Sequence, residues 1–308
     1  MVERKKKHIL NNKMLRNLGD FACTLPALSF IVVFTYIPLI QLFYYSLTDW
    51  NLLNSNLRFI GAENYEWLFV GNGSKYLWAS LKITIIYTIG VLFFTVIGGL
   101  LLALVFSNNS KVFRILRPMV FFPRYISTSC AAVVFLWILN TNNGILNQIL
   151  GLIDLEKVDW LGQRGTALFS IIVISGWKNI GYGMLIYLSA MSGIPKMYYE
   201  AASLDGASKI KQFITITLPA LIPTIQFLLI TSFIASMKAF QTIDIMTEGG
   251  PFRTTEVIVY LIYRYAMIDF RMGRASAISI ILLVIISICT YLIIKIRKWE
   301  GDEINVDE

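Results

Sequence analysis

The sequence predicts an all-α, polytopic membrane fold with about six transmembrane helices, on three observations. Of 308 residues, 56% are hydrophobic and 15% charged, and the mean hydropathy is +0.64, too apolar for an ordinary water-soluble domain. Charge-free gaps recur at the length of about 20 residues that a helix needs to cross hydrocarbon. The gaps are apolar on every face, as in ITIIYTIGVLFFTVIGGLLLALVF at 83–106, without the alternation over about 10 positions of a membrane β-strand.

In chain order, residues 1–20 form a basic tail containing ERKKK. The first gap, Asp20 to Asp49, is a full-length span rather than a short apolar region ending in A-x-A, so the expectation is a retained anchor and not a cleaved signal peptide. Residues 21–80 thus hold the first transmembrane helix and an outer loop, and residues 81–294 a transmembrane core. Further gaps lie between Lys82 and Lys111, Arg124 and Asp154, Lys211 and Lys238, and Arg274 and Lys295, each expected to hold one span. A sixth candidate, Ala167 to Met191, carries Lys178 near its centre. Residues 295–308 form a second tail.

Lys and Arg concentrate on the cytoplasmic side of membrane proteins. With the N-terminus inside, residues 1–20, 107–117, 192–212 and 295–308 hold 15 Lys or Arg in 66 positions, against 8 in the 100 positions of 46–80, 140–166 and 239–276. The expectation is a cytoplasmic location for both termini, in a cell membrane. Arg253, Arg264, Arg271 and Arg274 in the last outer loop run against the trend, partly offset by Glu248, Glu256 and Asp269. The net charge of +8 reflects the same bias plus attraction of the tail to anionic lipid, so the lipid bilayer and no nucleic acid is the expected partner. Cys23, Cys130 and Cys289 fall in apolar spans and read as small packing residues rather than a disulfide framework. His8 is the only histidine, which argues against a histidine-based metal or nucleophile site.

The connector KMYYEAASLDGASKIKQFITITLPALIPT, 196–224, mixes helix formers with a central glycine. Pro195 can start a helix that residues 196–204 continue, Asp205-Gly206 offers a turn with Gly at φ > 0, and a second helix from about Ala207 would run into the fifth span. Small Ala201, Ala202 and Ala207 would let another backbone approach, and Glu200 and Asp205 could accept hydrogen bonds from a partner or cap local amides. These features fit a docking element or a plain surface connector equally well.

The segment EAASLDGASKIKQFITITLP, 200–219, resembles the EAA loop of binding-protein-dependent transport permeases: E-A-A, three residues, G, nine residues, I, one residue, L-P. Glu200, Ala201, Ala202, Gly206, Ile216, Leu218 and Pro219 occupy the motif positions. FIGAENYEWLF (59–69), GILNQIL (144–150), WKNIGYGMLIYLSAM (177–191) and TEGGPFRTTEVIVYLIYRYA (247–266) resemble the carbohydrate branch, of oligosaccharide and glycerol-phosphate permeases. The resemblance implies the type I ABC importer permease fold, with 196–219 as the coupling loop that inserts into an ATP-hydrolysing subunit. Glu200, Ala201, Ala202, Asp205, Gly206, Ala207 and Pro219 are its candidate coupling residues. It further implies a second, related permease, two ATP-binding-cassette ATPase subunits and an external solute-binding protein as partners, with a sugar or oligosaccharide as cargo; a polyol, glycerol phosphate or peptide is the alternative.

No G-x-x-x-x-G-K-S/T phosphate loop occurs, and GNGSK at 71–75 has the wrong spacing. The chain is therefore expected to be no enzyme, to have no catalytic residues and to bind no cofactor or metal itself, ATP and Mg being used by the partner subunits. An ion-coupled secondary transporter would place carboxylates inside its spans, and none lies in any predicted one. A membrane-embedded enzyme needs a nucleophile or acid at membrane depth, where only Lys178 qualifies. Lys178, flanked by Trp177 and Asn179 and followed by Tyr182 and Tyr187, fits either a sugar-binding wall or a buried cation with a polar partner among packing aromatics. Lys238, Gln241 and Asn140 sit near the outer ends of spans, where interface anchoring is expected. Gly98-Gly99 and STSCAA (127–132) permit close helix contacts.

Overall fold

The computed structural model describes residues 21, 24–53, 57–107 and 110–304, with side chains as far as 295. The basic tail 1–20 and Cys23 lie outside the described residues, where a single isolated bridge, Thr48 with Phe59, is the only extended pairing. The helices are α1 (Thr24–Ser46), α2 (Glu63–Phe69), α3 (Ser74–Phe106), α4 (Lys111–Phe121), α5 (Thr128–Ile138), α6 (Ile145–Leu152), α7 (Arg164–Ser192), α8 (Lys196–Leu204), α9 (Lys209–Met237), α10 (Gln241–Thr247), α11 (Ile258–Ile268) and α12 (Met272–Ile304). Five of them, α1, α3, α7, α9 and α12, are long and apolar enough to cross a membrane.

One expected span is corrected. The gap from Arg124 to Asp154 does not hold a single helix: α4 ends in a 3-10 turn, Phe122–Tyr125, and α5 leaves it at 98°. Pro123 lacks an amide and Ile126 and Ser127 are extended, which stops the helix. At the far end Asn140 makes a turn, its Oδ1 accepting from the amides of Asn142 and Asn143. In its place stands the broken pair α4–α5, which begins at Lys111 inside the stretch expected as a loop and makes a sixth span when counted as one.

Lipid tails give helices no hydrophobic reason to associate, so close backbone contact must do so. Between α3 and α7 a glycine seam supplies it. A Cβ added at Gly90 would meet Ile172 at 2.5 Å, at Gly98 Ile180 at 2.9 Å, at Gly99 the Gly183 backbone at 2.9 Å, and at Gly183 the Thr95 carbonyl oxygen at 2.0 Å. The contacts advance along both helices together, so α3 and α7 run parallel. α9 is antiparallel to α3, its last residue Met237 accepting a hydrogen bond from Thr88 Oγ1 at 3.6 Å. α12 starts where α1 ends: the Gly273 amide donates to Trp50 O at 3.1 Å. Loops 46–80, 140–166 and 239–276 consequently share one end of the bundle, and α8 lies at the other.

Asparagines brace the first end. Asn64 Nδ2 donates to the carbonyls of Ser46 and Thr48, both at 2.9 Å, tying α2 under α1. Asn147 Nδ2 donates to Thr141 O and Val158 O, while its Oδ1 accepts from the Val158 amide and Trp160 Nε1. Beside them Arg253 donates to Glu256 Oε1 at 2.7 Å, and the 1%-exposed Glu256 also faces Arg264 Nε at 3.3 Å. The bond to that carboxylate raises the pKa of the Arg253 guanidinium above its ordinary value.

Gly183→Val drives side-chain carbon into the Thr95 carbonyl, and overpacking of this kind costs about 1–3 kcal/mol. The expected outcome is a lower melting temperature in detergent and less extractable folded protein. Gly165→Ala, where a Cβ meets nothing within 4 Å, is expected to melt within about 0.5 kcal/mol of the parent.

Candidate functional site

The break between α4 and α5 exposes backbone at mid-bundle, and an unpaired carbonyl in lipid costs about 2 kcal/mol or more. Lys178, halfway along α7, answers it: Nζ donates to Ile126 O and to Thr128 Oγ1, both at 2.8 Å. One residue on, Asn179 Nδ2 donates to Ser175 O at 2.7 Å, and its Oδ1 accepts from Arg124 of the 3-10 turn at 2.6 Å. Arg124 lies over the Tyr182 ring, 5.0 Å from its centroid.

These groups wall a cleft of about 770 Å³ bordered by α3, α7, the α4–α5 break, the C-terminal part of α9 and the start of α10. Tyr87 donates to Ser175 Oγ at 3.0 Å on one wall. Hydroxyls of Thr231, Ser232 and Ser236 come from α9.

Of the five candidate pathway residues, Lys178, Asn179 and Tyr182 line this cavity and two do not. Trp177 points away from it, its ring 5.3 Å from that of Phe135 and 37% exposed. Tyr187 is fully buried in the cluster of Met184, Leu221 and Leu228, with its hydroxyl unpartnered. Both follow from helical spacing: 178, 182 and 179 span one face about 100° wide, whereas 177 lies about 100° away on the other side of 178 and 187 about 180° from it. The structure adds Arg124, and it moves Lys238 and Gln241 from expected interface anchors to the cavity lining. Arg124 went unnoticed because it reads as the flank of an apolar gap, and only the 98° turn carries it inward.

At the opposite end, the coupling candidates form one compact unit. Pro195 is the extended residue before α8, Glu200, Ala201 and Ala202 lie on α8, and Asp205 ends it. Gly206 takes φ +76°, a conformation a β-branched side chain resists; the Ala207 amide then donates back to Ala202 O at 2.9 Å. The extended Ser208 caps α9 through the Lys211 amide. Pro219 follows a wide turn at Phe213–Thr217, which accommodates the missing amide.

A clamp that the motif does not announce holds the unit rigid. Buried Gln212 donates to Ser203 Oγ at 2.9 Å and to Ala207 O at 3.1 Å, and Tyr199 and Thr217 share a hydroxyl hydrogen bond of 2.8 Å. Outside the clamp, Glu200, Ala201 and Gly206 are exposed, and Leu204 is 90% and Ile210 74% uncovered.

Residues 95–297 match the family described as binding-protein-dependent transport system inner membrane component. The chain is 33% identical over 282 residues to a probable ABC transporter permease protein, YurN, of Bacillus subtilis, covering 90% of this chain and 95% of that one. It is 30% identical over 286 residues to the multiple sugar-binding transport system permease protein MsmF of Streptococcus mutans, covering 93% and 97%. Among solved structures, a chain of a bacterial ABC transporter involved in the import of the acidic polysaccharide alginate superposes with TM-score 0.80 at 26% identity, covering 93% of this chain and 99% of the other. The fold is therefore that of a type I ABC importer permease.

Removing the unpartnered hydroxyl in Tyr187→Phe is expected to leave stability unchanged or raise it by up to about 1 kcal/mol. Gln212→Leu breaks two hydrogen bonds and should cost about 1–3 kcal/mol locally; faster proteolysis between 196 and 212 in detergent is the check.

Proposed function

This chain belongs to the binding-protein-dependent transport family of inner-membrane components, and on that premise we propose that it is the permease subunit of an ATP-driven importer of a sugar or oligosaccharide. The observation that carries the reading is the braced α8–turn–α9 unit, which presents the complete EAA motif with bare apolar side chains around it. Apolar groups left uncovered beside a rigid, small-residue turn mark a surface awaiting a partner. The proposed occupants are two ATPase subunits, one on this loop and one on the equivalent loop of a second, related permease. ATP with Mg belongs to those subunits. A solute-binding protein would deliver cargo at the end that carries α2, α6 and α10.

The placing of α8 in the cytoplasm, with both termini, rests on the charge bias of the sequence. Sugar as cargo is supported by the relatives of the carbohydrate branch and by a cavity rich in hydroxyl, amide and tyrosine groups, which match the hydroxyls and CH faces of a pyranose. Helices α1, α3, α7 and α9, and α12 as far as Lys295, contain no Asp or Glu, which disfavours an ion-coupled mechanism. In operation, ATP-driven closure of the ATPase pair would move the two turns as rigid bodies and rock the helix bundles between inward- and outward-facing states.

Glu200→Lys and Gly206→Val are expected to leave the assembled complex in the membrane while cargo-stimulated ATPase activity and uptake fall at least tenfold, since a coupling energy of about 1.4 kcal/mol corresponds to that factor. Uptake and ATPase assays on the reconstituted complex check this, and parental uptake by both variants would sink the coupling role.

A further inference from the structure

Three cationic side chains line the central cavity, Arg124, Lys178 and Lys238, and no carboxylate does. Resting on the importer reading above, we propose that the cargo is anionic: a saccharide or polyol carrying a carboxylate or a phosphate, bound in this cavity by these three cations.

The charges are not spent on the fold. Among the described residues none of the three forms an ion pair. Lys178 donates to a backbone carbonyl and a hydroxyl, both neutral acceptors, and Arg124 to the Asn179 amide oxygen. Neutral donors would satisfy those acceptors equally, without carrying a charge into the bundle. Arg124 and Lys178 bind either side of one turn: Arg124 holds Asn179, the residue next to Lys178, and Lys178 holds Ile126, two residues from Arg124. Like charges held this close repel, and burial makes the charge of Lys178 costlier still. An anion entering the cavity offsets both costs with its attraction to the two cations.

Lys238 completes the arrangement from the far wall. It closes α9 in a non-helical conformation and is exposed toward the cavity beside Gln241. Between the cations stand neutral hydrogen-bonding groups from Ser127, Asn179, Thr231 and Gln241, with Tyr182 under Arg124. A sugar ring with one anionic substituent matches such a wall: the ring hydroxyls meet the neutral groups and the anion the cations.

The test uses the importer purified whole, with its partner permease, ATPase subunits and binding protein, reconstituted in liposomes. Uptake is measured for matched series: neutral oligosaccharides, the corresponding uronates, and sugar or glycerol phosphates. The expected result is uptake of uronates or phosphates, the two arms telling which anion is carried, with KM rising as ionic strength rises. Lys238→Gln should raise KM for the anionic cargo about tenfold, the loss of one close charge pair in a partly wet site. Lys178→Met should do the same or more; because Lys178 also closes the helix break, Lys178→Arg serves as the folded, charge-retaining control and should keep KM within about threefold. Uptake of neutral saccharides alone overturns the inference and leaves the sugar importer standing. Anionic uptake indifferent to Lys238→Gln and to salt overturns the role of the cations. Failure of every saccharide and polyol, neutral or charged, overturns the importer's sugar assignment as well.

Discussion

The glycine seam between α3 and α7 is the constraint on which the rest depends. Two membrane helices gain nothing from hiding leucines from lipid, so they stay together only where their backbones approach. Gly183 against the Thr95 carbonyl and Gly99 against the Gly183 backbone give that approach. Because both helices point the same way along the seam, the positions of Tyr87 and of Ser175 are fixed opposite one another, and their hydrogen bond of 3.0 Å becomes a wall of the cavity. Move the seam by one turn and the wall is lost.

The same seam fixes α7 against the helix break. Gly181 carries no side chain where a Cβ would lie 2.2 Å from Val120 O, so α4 can lie directly on α7. That contact brings Ile126 and Thr128 within reach of Lys178. A broken helix is tolerable in a membrane only where it is covered by protein or lines a polar space. Here it does both, and the polar groups that make the break tolerable are the ones that make the cavity polar.

Much of this was legible in the residues. Charge-free gaps locate four of the five long helices, the fifth, α7, being the apolar stretch that carries Lys178, and Pro195 with Asp205-Gly206 marks α8 and its turn, because a proline and a glycine at φ +76° act locally. The α4–α5 break was not legible, since a gap without charge says nothing about direction and Pro123 reads equally as the start of a helix. The split between Lys178, Asn179 and Tyr182 inside and Trp177 and Tyr187 outside depends on which face of α7 the seam occupies. Three of the four stretches that resemble the carbohydrate branch lie outside the cavity and include the braces: Asn64, Asn147 and the Arg253–Glu256 pair. Buried asparagine and carboxylate look like candidate ligands in a sequence, and only their neighbours tell a brace from a binding group.

One helix joins the two functional ends. α9 spans 29 residues, roughly 43 Å at 1.5 Å per residue. Its first turn is gripped by Gln212 and Ser203, and its C-terminal end presents Ser232, Ser236 and the capping Lys238 to the cavity. Pro219 and Pro223 each remove one ladder hydrogen bond and concentrate any bending around residues 219–223. Leu221, between the prolines, and Leu228, beyond them, are fully buried with Met184 and Tyr187 of α7. A push on the turn would therefore bend α9 near the prolines and carry its upper part together with α7, because packed side chains resist sliding more than an interrupted helix resists bending. On the proposed coupling role, the clamp would transmit position and the proline segment would set where the bundle gives.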